Sequence, residues 1–244
     1  MYNWFCGPFG GKMRKNFTFW KSAVNRGAQV LFSLLLVAAL FFLSVGKSNV
    51  PRAWFYFGLY FVSLVMNMII FIKYNPEVVK ARSKILKGKM KWWDKVYAMS
   101  YTVLMLTIPI VCGLDVRFNT SALGIEYYIV AILLFILGWS FTSWAMVANK
   151  YFEGSIRIQK ERDHKVVSTG PYSIIRHPGY AGMILFYTSM PLGLGSLYGL
   201  VPVLLLTGAF IFRIHFEDKM LQQELEGYKE YTKRTRYRLI PGIW

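Results

Sequence analysis

Acidic residues are scarce in this 244-residue chain: 12 Asp and Glu stand against 29 Lys and Arg, and charged residues of both signs together make up only 17%. With 55% of the chain hydrophobic and 18% aromatic, too little polar material remains to cover a water-facing surface. A soluble globular domain is therefore excluded, and an integral membrane protein is expected. Cysteine is nearly absent as well. Cys6 and Cys112 define neither a disulfide framework nor a metal site, and no metal is expected. No internal repeat or low-complexity linker divides the chain. No cleavable signal peptide is expected either, because the first apolar run follows a basic stretch containing Trp and Phe, which suits an interfacial segment leading into a retained anchor.

What is present is hydrophobic length. Segments 27–46, 53–72, 97–113 and 125–148 are long and apolar enough to span a bilayer. Two shorter runs, 180–191 and 197–212, are separated by Gly193, Gly195 and Ser196 and predict a tight helical hairpin whose limbs need not both cross. The expected architecture is all-α: a membrane helical bundle of four long spans plus a C-terminal hairpin, five to six transmembrane segments in all. Residues 1–148 form its N-terminal membrane region, and 149–244 form the ligand-binding region of the same structural unit.

The net charge of +17 does not indicate nucleic acid, because of where the charges fall. All Lys and Arg except Lys47, Arg52 and Arg117 lie on alternate connections. That asymmetry places both termini and the polar connections in the cytoplasm, with membrane lipids as the partners of the charge. The 73–95 connection interleaves Lys80, Arg82, Lys84, Lys87, Lys89 and Lys91 with Val78, Val79, Ile85, Leu86, Met90, Trp92 and Trp93. At helical spacing this predicts an amphipathic segment lying on the headgroups, or a recognition surface for an acidic or lipidated ligand.

The 149–180 connection differs in character, mixing Asn149, Arg157, Gln159, His164, Lys165, Tyr172, Arg176, His177 and Tyr180 with few like-charge runs. Pro178 at a first helical turn puts His177 at the N-cap and predicts free amides at Gly179 and Tyr180, an end that attracts carboxylate or phosphate. Beyond the hairpin, Arg213 and Glu217 are four residues apart and share one helical face. Two readings stay open there: an intrahelical ion pair at the interface, or a site in which Glu217 receives a cationic ligand and Arg213 an anionic acceptor.

The runs Ser168, Thr169, Gly170, Pro171, Tyr172 and Arg176, His177, Pro178, Gly179, Tyr180, Gly182 are followed by Glu217, Asp218, Leu221, Gly227, Tyr228 and Tyr231 and by the ending Arg238, Leu239, Ile240, Pro241. This pattern resembles the isoprenylcysteine carboxyl methyltransferase family and its phospholipid methyltransferase relatives over 149–244, while the first four spans match only in hydropathy and order. The resemblance implies a membrane methyltransferase that uses S-adenosylmethionine, releases S-adenosylhomocysteine and lacks a Rossmann fold. It implies cofactor contacts from Gln159, His164, Lys165, Val166, Val167, Tyr172, His177, Pro178, Gly179, Tyr180 and Glu217. It also implies that Arg213 meets the substrate carboxylate and that Arg213 and Glu217 act in catalysis. Placing Gln159 in that pattern needs a gap before His164, and the stretch 225–231 is shorter than in the eukaryotic-type enzymes.

The expected activity is carboxyl O-methylation of a lipophilic, isoprenylcysteine-like acceptor. A phospholipid or amine N-methyltransferase, an NADPH-dependent sterol-type reductase and a non-catalytic membrane protein are the alternatives. Pro178, Gly179 and Tyr180 directly after His177 favour the methyltransferase branch.

Overall fold

A computed structural model describes residues 8–82 and 90–244, with side chains from residue 18 onward. Cys6 and the 83–89 part of the basic connection lie outside the described residues. The helices are α1 (Pro8–Val45), α2 (Pro51–Tyr74), α3 (Pro76–Arg82), α4 (Trp92–Phe118), α5 (Ile125–Ala148), α6 (Pro178–Leu194), α7 (Leu200–Glu224) and α8 (Tyr228–Arg234). There is no strand among the described residues.

Proline sets several boundaries. Pro51 and Pro178 sit in the first turns of α2 and α6, where a missing N–H costs nothing. Pro76 restricts Asn75, where α2 ends, and itself opens α3.

Five helices are long and apolar enough to cross a membrane: Thr18–Val45 of α1, then α2, α4, α5 and α7. The second hairpin limb is thus a full span of 25 residues that carries its polar face onward to Glu224, whereas α6, at 17 residues, is about 26 Å long. The protein is an integral membrane protein. Its outward positions are apolar, Leu43, Met99 and Leu204 among them, as a lipid-facing surface requires. Its interior is aromatic and aliphatic around Phe41, Tyr56, Phe135, Leu206, Phe210 and Ile214.

The basic connection does not lie flat on the headgroups where it is described. Val78 and Val79 of α3 are buried against Ala23, Phe71 and Met146, because α3 turns back into the bundle directly after α2. At the opposite end Arg52 donates to the carbonyls of Leu192 and Gly193, meeting the unsatisfied C-terminus of α6.

The α5–α6 pair fixes the scaffold under the polar connection. A Cβ on Gly182 would lie 2.6 Å from the Thr142 backbone nitrogen and 2.8 Å from the Gly138 carbonyl, so the two backbones touch. Gly58 of α2 has nothing within 4 Å of the same position. Gly182→Ala is therefore expected to destabilise by roughly 1–3 kcal/mol through forced separation of the helices. Gly58→Ala should leave stability unchanged or raised. Thermal unfolding of both variants in lipid nanodiscs checks this, and equal melting temperatures would contradict the contact.

Candidate active site

Asp218 lies on the inner face of α7 and is 0% exposed. A buried carboxylate needs its oxygens filled, and here they are heavily used. Arg176 donates bidentately, Nε at 2.8 Å and Nη2 at 2.9 Å. Arg238 Nε and Gln222 Nε2 reach Oδ2 at 3.0 Å, the Tyr228 hydroxyl reaches Oδ1 at 3.0 Å, and His177 Nε2 stands 3.4 Å from Oδ1. Arg176 also donates to the carbonyls of Thr235 and Arg236, while the backbone amides of Arg176 and His177 donate to Tyr237 and Arg238. The turn before α6, the middle of α7 and the chain after α8 are thereby closed into one clasp.

This clasp corrects one expectation about the turn. His177 is the backbone N-cap of α6, as expected, and its Nε2 faces Asp218. The Tyr180 amide is not free, because it donates to the His177 carbonyl at 3.1 Å as the first turn tightens. Gly179 matters for packing instead: a Cβ there would lie 2.7 Å from the Phe152 ring, which holds the polar connection against α6.

Above the clasp is a cavity of about 720 Å³, bounded by α1, α2, α4, α6, α7 and the 149–172 connection. The expected residues converge on it: Gln159, His164, Lys165, Val166, Val167, Tyr172, His177, Gly179, Tyr180, Arg213 and Glu217 all line its wall. Pro178 does not, being turned into the helix start. Convergence is not the same as availability. Gln159 is 1% exposed and both ends of its amide are used, Nε2 on the Tyr151 carbonyl and Oε1 by Arg162. It therefore pins the connection. Lys165 pairs with Asp163 at the surface.

The ring of His164 lies 4.2 Å from that of Tyr151, and its Nδ1 accepts from the Gln159 backbone N–H. Burial, with Arg162 and Arg157 nearby, pulls the imidazole down to about 4.

Arg213 and Glu217 do not pair with each other. Arg213 donates from Nε to Asp94 at 2.9 Å and from Nη2 to the Gly154 carbonyl at 2.7 Å, with its guanidinium 4.1 Å from the Tyr97 ring centre. Asp94, at the start of α4, is 0% exposed. Its acid character in a basic connection was the one signal by which it stood out in sequence. Glu217 accepts from the Tyr180 hydroxyl at 2.8 Å and forms no ion pair among the described residues. A carboxylate held this way in a partly enclosed cavity is a receptor for a cation or for hydroxyl groups. Among the described residues no group of acids, cysteines and histidines could hold a metal ion.

A family model described as phospholipid methyltransferase matches residues 127–227, which covers α5, α6 and α7 with the connection between them. The protein-S-isoprenylcysteine O-methyltransferase of Saccharomyces cerevisiae is 28% identical over 186 residues, covering 73% of this chain and 77% of the yeast protein. The chain is thus similar to isoprenylcysteine carboxyl methyltransferases over most of its length. The probable family member from Oryza sativa subsp. indica is 31% identical over 115 residues, covering 45% of this chain and 60% of that relative's length. The solved structure of a eukaryotic intramembrane Ras methyltransferase, isoprenylcysteine carboxyl methyltransferase, superposes with a TM-score of 0.58 at 20% identity, covering 86% of this chain and 74% of the other, and so shares its fold. Arg238, which completes the clasp from the tail, and Tyr231, which donates to the Tyr172 carbonyl from α8, lie beyond the residues that the family model matches.

Removing the clasp's charge leaves Arg176 buried without a counter-charge. Asp218→Asn is expected to destabilise by roughly 3–5 kcal/mol and to loosen 228–244, read as lower melting temperature and faster amide exchange there. Unchanged exchange would contradict the clasp. His164 makes a separate prediction. Its folded-state value of about 4 lies below its ordinary 6.5, so its contribution is fully present above pH 6.5 and is lost as pH falls toward 4. Amide exchange of 151–167 should accelerate across that window, and His164→Gln should flatten the change.

Proposed function

We propose that this protein transfers a methyl group from S-adenosylmethionine to a carboxylate oxygen of a lipophilic, isoprenylcysteine-like acceptor. The observation that carries the proposal is Glu217, a carboxylate without a cationic partner among the described residues, in a cavity whose wall runs from polar to apolar. The cavity has the size of a small-molecule site, and its donor set suits a ligand that combines an ammonium group, hydroxyls and an aromatic base. Tyr151, His164, Val166, Val167 and Tyr172 would supply the aromatic and backbone wall for it, and Glu217 the counter-charge. When bound, that cofactor supplies an electrophilic methyl on a sulfonium.

Transfer would join an acceptor carboxylate oxygen to that methyl carbon as the carbon–sulfur bond breaks, its electron pair going to sulfur. No proton moves. Alignment and exclusion of water are what the reaction needs, and a general base is not. The chain is built for that demand: Gln159 and Arg162 brace the connection over the cavity, Gly179 receives Phe152, and the clasp holds the opening of α6. Arg213 serves here by holding Asp94 and the Gly154 carbonyl at the mouth, its charge largely balanced by Asp94 before any substrate enters.

The placement of Lys and Arg supports a cytoplasmic position for both termini and for the 149–180 connection, with Lys47, Arg52 and Arg117 on the opposite face. The cofactor would then enter from the cytosol and the acceptor from the bilayer.

The test is a labelled-methyl assay with purified protein in nanodiscs, using a prenylated cysteine as acceptor and binding of S-adenosylhomocysteine as a parallel readout. The expected outcome is base-labile, carboxyl-ester label in the product. Glu217→Gln should weaken S-adenosylhomocysteine binding by roughly tenfold or more, the worth of a charge-assisted hydrogen bond. Label on an amine would move the activity to the N-methylating relatives, and undiminished binding by Glu217→Gln would remove this residue from the pocket.

A further inference from the structure

The mouth of the cavity holds an ion pair whose acid has no task in the chemistry above. Asp94 of α4 and Arg213 of α7 are 0% and 6% exposed, and Arg213 Nη2 stands 2.7 Å from Asp94 Oδ1. The same Oδ1 accepts from Arg213 Nε at 2.9 Å, while Oδ2 accepts from the Ile156 backbone N–H at 3.0 Å. Nη2 also donates to the Gly154 carbonyl at 2.7 Å. One edge of the guanidinium is thereby filled.

Its other edge is free. Nη1 forms no hydrogen bond with any described residue, and Arg213 lines the cavity wall. The rings of Tyr97 and Tyr180 flank the group, with centres 4.1 Å and 5.9 Å from Cζ. A carboxylate that reaches the free edge finds its direction already set by the filled one.

The charge balance of the reaction decides what Asp94 adds. As oxygen bonds to the methyl carbon and the carbon–sulfur electron pair goes to sulfur, one negative and one positive charge disappear, giving a neutral ester and a neutral thioether. No proton moves. A group that holds the anion more tightly than the half-neutralised transition state slows the step. A buried guanidinium with no counter-charge is such a group, since a low dielectric strengthens its hold on a carboxylate. Asp94 offsets that charge without occupying Nη1, so alignment by hydrogen bonding survives.

We propose that Asp94 is a positioning residue of the methyl transfer: acting through Arg213, it fixes the free Nη1 edge and offsets its charge, so that the acceptor carboxylate is aligned without being trapped. This rests on the methyltransferase reading above, with the acceptor carboxylate meeting Arg213. A sign separates this role from a purely structural one. Losing a structural partner weakens everything the site does, whereas losing this counter-charge tightens the acid and slows its conversion.

The test uses the full chain in nanodiscs and measures binding of N-acetyl-S-farnesylcysteine and of its methyl ester, binding of S-adenosylhomocysteine, and the single-turnover rate of ester formation. In Asp94→Asn the preference for acid over ester should rise roughly tenfold and the single-turnover rate should fall by about the same factor, with S-adenosylhomocysteine binding retained. Asp94→Glu keeps the charge and should lie nearer to wild type in both. A second variant works in the opposite direction and leaves the ion pair in place. Nothing lies within 4 Å of a Cβ built on Gly154, so Gly154→Asp adds a negative charge near Arg213 at an open position. There the preference for acid over ester should fall roughly tenfold. Where Asp94→Asn does not fold, Gly154→Asp decides alone. Acid and ester binding weakened in equal proportion by Asp94→Asn overturns the proposal, as does an unchanged acid-over-ester preference in Gly154→Asp. Absence of S-adenosylhomocysteine binding and of ester formation in wild type refutes the methyltransferase reading separately, because the acid-over-ester preference is read without cofactor or turnover.

Discussion

One buried carboxylate, Asp218, holds the working end of this molecule together. It sits on a membrane-crossing helix yet gathers two arginines, a histidine, a tyrosine and a glutamine from the turn before α6, from α7 itself and from the tail. In a bundle whose outer surface is apolar, such a group is tolerable only when every lone pair is used. The polar turn is therefore primarily a structural element. It fixes where α6 begins, and by doing so fixes the lower wall of the cavity.

Against that fixed wall the cavity has an uneven electrostatic plan. Glu217 is a carboxylate without an ionic partner among the described residues, Arg213 and Asp94 balance each other, and Arg26 and Arg82 add positive charge to the same wall. A cationic ligand at one pole and an anionic one at the other complete this arrangement. Methyl transfer from a sulfonium to a carboxylate brings together ligands of those two signs and asks for little beyond alignment.

Hydropathy made the spans legible because a bilayer imposes length on any helix that crosses it. The paired runs before α6 and after α7 pointed to the cavity because their turn chemistry and spacing are local properties. Hydropathy could not show that α7 continues as one helix from Leu200 to Glu224, because its polar half looks like a connection when read for apolarity alone. Nor could local pattern reveal partners more than a hundred residues away. Arg213 with Glu217 is the natural pairing along a helix, but the pair that forms is Arg213 with Asp94, across the bundle. Gln159 and His177 were similarly placed at the cavity by motif, yet only tertiary contacts show that their polar atoms are largely engaged by Tyr151, Arg162 and Asp218. Arg82 looked like one more headgroup lysine or arginine until α3 folded inward.

The most direct measurement is a cryo-EM structure of the chain in nanodiscs with S-adenosylhomocysteine bound. Ligand density is expected in the cavity bounded by Tyr151, His164 and Glu217, with Arg176 still paired to Asp218. Density elsewhere on the molecule, or a bound state in which the Arg176–Asp218 pair has come apart to admit the ligand, would contradict it.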